Sequence, residues 1–108
     1  MKLAVFGATG GTGRQFIAQA TEAGHRIRAL TRSPEKLSGR DAVVPVEGNV
    51  LDPDDARRPV EGTDAAVCIL GRTKNNPADV VSQGTAHILD AMQRYDVRRL
   101  VVVTSIGL

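Results

Sequence analysis

The chain has 108 residues, enough for one domain at most, and its 42% apolar and 24% charged residues are an ordinary globular composition. Its 14 basic and 12 acidic residues leave a net charge of +2. The basic residues are scattered and the aromatics amount to two Phe and one Tyr, which argues against a nucleic-acid face of basic blocks and stacking rings.

No apolar run approaches the ~20 residues of a membrane-spanning helix. The N-terminus MKLAVFGATG enters a strand pattern directly, so a signal peptide is not expected. Cys68 is the single cysteine and sits in an apolar run. It cannot form an internal disulfide, and no His/Cys cluster suggests a metal. The expected reading is a small buried hydrophobe in a reducing cytoplasm.

In chain order, Leu3-Ala4-Val5-Phe6 reads as a strand (β1, 2–6) buried on both faces. Gly7, Gly10 and Gly13 follow with the spacing G-x-x-G-x-x-G and lead into a helix over 11–23, with Phe16, Ile17, Ala20 and Ala23 as its apolar stripe and Gly24 as its stop. A strand at 26–31 (β2) comes next, then a short helix near 34–37 and a strand near 43–47 (β3). Asp52-Pro53-Asp54-Asp55 reads as a capped helix start, with Pro59 keeping that helix short. A strand at 65–70 (β4), a polar loop, and a helix over about 78–95 with Val81, Ile88, Leu89 and Met92 as its stripe complete the pattern before a last strand at 100–104 (β5).

Strands alternating with helices predict an α/β, Rossmann-type doubly wound parallel sheet in the order 3-2-1-4-5. The ligand crevice is then expected beyond the C-terminal ends of β1 and β4, where the winding reverses.

Strand, glycine turn and helix in this order suit the pyrophosphate of a dinucleotide, held by unpaired N–H groups at the positive end of the helix. Gly7, Thr9, Gly10, Gly11, Thr12 and Gly13 are the candidate contacts. At the end of β2 a carboxylate usually holds the ribose 2′-hydroxyl of NAD. Here Leu30-Thr31-Arg32-Ser33 offers Arg32 and Ser33 instead, which suit a 2′-phosphate and favour NADP (NADPH) over NAD. Arg14 in the first helical turn is either a further positive charge for the phosphates or a solvated helix residue.

After β3, the Asn49 side chain is a candidate acceptor for the adenine amine and Val50 a packing surface for its ring; the alternative is a turn residue and a core valine. Asp52 reads as a helix cap. Leu70, Gly71 and Arg72 belong to the loop expected to pass the adenosine ribose. Gly71 allows close approach, and Arg72 and Lys74 extend toward solvent. Gln83 and His87 read as structural. Thr104 and Ser105, at the end of β5, are expected to face the nicotinamide. Ser105 is the candidate catalytic residue, able to orient a substrate carbonyl or water, or else to cap a turn.

The segments GATGGTGR, LTRSPEKL, GNVLDP and VSQGTAHILDAMQRYDVRRLVVVTS resemble the atypical short-chain dehydrogenases/reductases. The resemblance runs over essentially the whole chain, and the group it points to holds biliverdin reductase B (flavin reductase) and the NmrA-like proteins. It implies NADPH-dependent hydride transfer to a small-molecule acceptor such as a flavin, a tetrapyrrole or a quinone. The biliverdin reductase type carries a serine at the position of Ser105. The NmrA type implies instead a non-catalytic NADP sensor with a regulatory protein partner, and other relatives are nicotinamide-dependent epimerases.

Many family members use Tyr-x-x-x-Lys as general acid. Here Tyr95 is followed by Arg99 and lies before β5, so it is not read as catalytic. Asn49 stands where an Asp is common, and Ile106-Gly107 where bulkier residues are common. The family continues past β5, so residues 1–108 are expected to be the N-terminal part of a single NAD(P)-binding domain, with an apolar patch over β4 and β5.

Overall fold

The computed structural model describes residues 1–7, 11–37, 39, 41–69 and 78–102. In chain order the elements are β1 (Lys2–Phe6), α1 (Gly11–Glu22), β2 (Arg26–Thr31), a 3-10 turn (Pro34–Leu37), β3 (Val43–Glu47), α2 (Pro53–Val60), β4 (Ala65–Cys68), α3 (Ala78–Arg94) and β5 (Leu100–Val102).

Parallel strands covered on both faces read as continuous apolar runs rather than alternating ones. β1 from Leu3 to Phe6 and all of β4 are buried in this way. They are the central strands of one sheet whose order is β3-β2-β1-β4-β5, with every pairing parallel, as the alternating pattern predicts. Leu3 lies opposite Ile27 on one side and Ala65 on the other, and Phe6 opposite Leu30 and Cys68. The β3 edge carries exposed Val44 beside Pro45, a residue that only an edge strand accommodates easily.

Because side chains alternate across each strand, the sheet separates two cores. On one face Leu3, Val5, Ile27, Ala29 and Val67 pack with Ile17 and Ala20 of α1 and Leu37 of the turn. On the other, Ala4, Phe6, Leu30 and Cys68 pack with Ala56 and Val60 of α2 and Ile88, Ala91 and Met92 of α3. Cys68 is buried and unpaired with another cysteine, in agreement with its reading as a small hydrophobe.

Helix ends follow the local chemistry. Asp52 caps α2 by accepting from the Asp54 and Asp55 N–H groups at 2.9 and 3.4 Å, and the helix stops at Val60, one residue after Pro59. α1 closes with the His25 N–H donating to Ala20 O and the Gly24 N–H to Thr21 O, with Gly24 at φ +90°. α3 closes in the same way. Val97 N–H donates to Met92 O and Asp96 N–H to Gln93 O, with Asp96 at φ +55° in the left-handed place that glycine usually takes.

Three expectations are corrected. Ala23 is exposed rather than part of the α1 stripe, because the helix has already ended at Glu22. Leu89 is 48% exposed: the inward face of α3 runs through Gly84, Ile88, Ala91 and Met92, and Leu89 sits about 100° round from Ile88. The Val81 side chain lies outside the described residues. The apolar patch expected over β4 and β5 shrinks, among the described residues, to β5. Val67 is 1% exposed beneath α1, whereas Val101 and Val102 are 48% and 57% exposed.

Candidate functional site

At the C-terminal edge of the sheet, hydrogen bonding carries the strand pairing just past the strand ends. Ile69 N–H donates to Phe6 O at 2.8 Å and Gly48 N–H to Thr31 O at 3.0 Å. The end of β1 is thereby fixed against β4, and the end of β3 against β2. Gly7 follows β1 with φ +90°, a conformation that side chains with a Cβ rarely adopt, and α1 begins at Gly11. Thr12 is half-buried, Gly13 is buried, and the space around Gly11 is open.

The first turn of α1 contains no acidic residue and carries Arg14 instead. That choice works against the helix dipole, since helix N-termini favour carboxylates. A first turn without a carboxylate suits an external anion, which a helix N-terminus and a guanidinium both attract.

Beyond β2, Arg32 is exposed and forms no ion pair with a described residue. Ser33 is half-buried, its N–H donating to the hydroxyl of buried Thr31 at 3.0 Å. Ser33 O accepts from the Lys36 N–H, which closes the 3-10 turn. That turn places Lys36 across from α1, where Arg14, Ile17, Lys36 and Leu37 line a cleft of about 260 Å³. Two cations, apolar walls and a third cation at the end of β2 suit a phosphorylated ribose. Exposed Glu35 shares the turn. The sequence signal for Lys36 is its place in the short turn that follows Arg32, and that turn brings it to α1.

After β3 the chain is held from behind by α2. Arg58 Nη2 donates to Glu47 O at 2.6 Å and to Asp55 Oδ1 at 2.7 Å, and Asp55 Oδ2 accepts from the Asn49 N–H at 3.0 Å. A Cβ on Gly48 would stand 2.9 Å from both Arg58 Nη2 and Asp55 Cβ. Asn49 Oδ1 accepts from the Leu51 N–H at 2.9 Å, so it performs the turn role weighed against adenine binding. Val50 packs against the α2–α3 core, and its carbonyl accepts from His87 Nδ1 at 2.8 Å.

Gly7, Gly11, Thr12, Gly13, Arg32, Ser33, Asn49 and Val50 therefore share the edge of the sheet onto which β1, β2 and β3 open. Thr9, Gly10, Leu70, Gly71, Arg72, Thr104 and Ser105 lie outside the described residues. Among the described residues no group of three His, Cys, Asp or Glu side chains could hold a metal ion, and no helix is long and apolar enough to cross a membrane.

A parallel sheet in the order 3-2-1-4-5, with a left-handed glycine turn and a helix N-terminus after its first strand, defines a Rossmann-type nucleotide-binding domain. The sequence profile of a family described as NAD(P)H-binding matches residues 7–108, and the chain belongs to that family, within the short-chain dehydrogenase/reductase group and its atypical members. An uncharacterized chloroplastic protein of Arabidopsis thaliana is 31% identical over 97% of this chain, which corresponds to 41% of the plant protein. A crystal structure from Burkholderia pseudomallei is 29% identical with a TM-score of 0.79, covering 99% of this chain and 49% of that one. A short-chain dehydrogenase/reductase superfamily protein of Agrobacterium tumefaciens, solved with bound NAD, is 26% identical with a TM-score of 0.77, covering 94% of this chain and 32% of that one. The chain thus spans about half the length of these relatives or less.

Proposed function

We propose that this chain is the cofactor-binding part of an NADPH-dependent oxidoreductase whose acceptor is a flavin, a tetrapyrrole or a quinone-like molecule. The observation that carries the cofactor choice is the cationic end of the sheet: Arg32 after β2, with Arg14 and Lys36 lining the adjacent cleft and no carboxylate at the ribose position. A 2′-phosphate carries two negative charges at neutral pH, and charge-assisted bonds from guanidinium groups offset its desolvation. An Asp or Glu in place of Arg32 would repel that phosphate.

The bound cofactor supplies a hydride. The residues of this chain bind and orient it: the α1 N-terminus faces the pyrophosphate, Arg32 and the cleft take the ribose phosphate, and Val50 lies against the base. The acceptor class rests on the resemblance to the biliverdin and flavin reductases, with Ser105 as the residue that orients the acceptor. NADPH oxidation measured with FMN and with dichlorophenolindophenol tests the reading. Turnover with NADPH well above that with NADH is expected. Tight NADP binding with no turnover on either acceptor would replace the reductase reading with that of a sensor.

A further inference from the structure

The loop that leaves β3 is braced from two helices, and the second brace is remote in sequence. Asp55 and Arg58 of α2 hold Gly48 and Asn49 from behind, and the Asn49 side chain and carbonyl hold Leu51 and Asp52 from within. These contacts are all local to the β3–α2 connection. His87, on α3, reaches across 37 positions to the Val50 carbonyl at 2.8 Å in a half-buried setting. A carbonyl cannot donate, so Nδ1 must carry the proton. The neighbouring Ile88 is fully buried in the α2–α3 core, so the helix that carries the imidazole is firmly seated.

We infer that His87 is a positioning residue for the base-binding loop: its Nδ1–H fixes the Val50 carbonyl, and through it the Asn49–Val50 segment against which the adenine ring lies. The inference rests on the dinucleotide reading above. His87 acts through the Val50 carbonyl rather than as a contact to the cofactor. It sets the angle of the Val50 peptide, and without it the loop keeps its α2 anchor and the packing of Val50 on the core but loses its hydrogen bond to α3. A bond that orders a loop before binding raises affinity by lowering the ordering cost of the complex.

Two readouts test this in the full chain, neither of them turnover. The first is calorimetric affinity for adenosine 2′,5′-bisphosphate, which carries the base and ribose phosphate but no nicotinamide. The second is amide hydrogen exchange at Leu51 and Asp52 in the ligand-free protein. His87→Ala is expected to weaken binding about five- to ten-fold, as the loss of one partly buried hydrogen bond does, and to speed exchange at both amides. His87→Asn places an amide N–H close to the former Nδ1 and is expected to restore both. His87→Gln, whose donor sits nearer the Nε2 position, is expected to restore neither, so the Asn/Gln pair decides the matter if His87→Ala folds poorly. Unchanged affinity and exchange in His87→Ala, or equal losses in the Asn and Gln variants, would overturn the inference. Failure of the unsubstituted chain to bind the bisphosphate would overturn the dinucleotide reading beneath it.

Discussion

The position of Arg32 is legible from sequence because it depends on one thing, its place immediately after a strand that is itself easy to recognise. Lys36 depends on two: the 3-10 turn that closes on Ser33 O, and the approach of that turn to α1 across the cleft. The Asp55–Arg58 brace behind Gly48 is further still from the sequence, since it exists only where α2 folds back beside β3. Gly48 reads as an ordinary turn glycine until a Cβ is placed on it. Arg58 Nη2 is the free end of a long side chain and would give way, but Asp55 Cβ is fixed to the helix backbone. Gly48→Ala is therefore expected to cost about 1–3 kcal/mol as an overpacked site, read as a lowered thermal midpoint together with weaker dinucleotide binding. A midpoint equal to that of the unsubstituted chain would show that the brace relaxes freely.

Among the elements, strands and helix starts were the most legible, because glycine, proline and acidic residues mark them by their own backbone chemistry. The Asp52 cap and the short α2 follow directly from Asp-Pro-Asp-Asp and Pro59. Helix faces are less legible. Leu89 is apolar and at helical spacing from neighbouring apolar residues, yet α2 and the sheet meet α3 on the side of Gly84, Ile88 and Ala91. Sequence periodicity cannot say which of two adjacent apolar rows a partner helix will cover. The end of α3 offers a clean test of element-level physics. Asp96 holds a left-handed conformation that costs an L-residue free energy and glycine none, and its ion pair with Arg98 is largely exposed and so contributes little. Asp96→Gly is expected to stabilise the chain by about 0.5–1 kcal/mol, measured by urea denaturation. A loss of stability would mean that the Asp96 side chain matters more than its backbone.

For the molecule as a whole, the strand order came from alternation alone, since right-handed crossovers leave few arrangements for five strands and their helices. The radius of gyration of 12.5 Å is close to the roughly 13 Å of a compact domain of this length. That agrees with the two well-filled cores and with an apolar exposure limited, among the described residues of β4 and β5, to β5. The two sheet edges differ: β3 carries a proline, while β5 presents Val101 and Val102. Self-association on heating is expected to run through β5. The double substitution Val101→Thr, Val102→Thr should delay it in light scattering while moving the thermal midpoint little, as exposed positions do. Aggregation unchanged by that double substitution would place the sticky surface elsewhere.

The central claim is that the cationic end of the sheet reads a 2′-phosphate. Calorimetric titration of the unsubstituted chain and of Arg32→Ala with NADP and with NAD tests it most directly. The unsubstituted chain should prefer NADP, and Arg32→Ala should lose about 10- to 100-fold in NADP affinity, the loss expected of charge-assisted bonds, with NAD affinity nearly unchanged. Equal affinities for the two dinucleotides, or an Arg32→Ala variant that binds NADP as tightly as the unsubstituted chain, would contradict it.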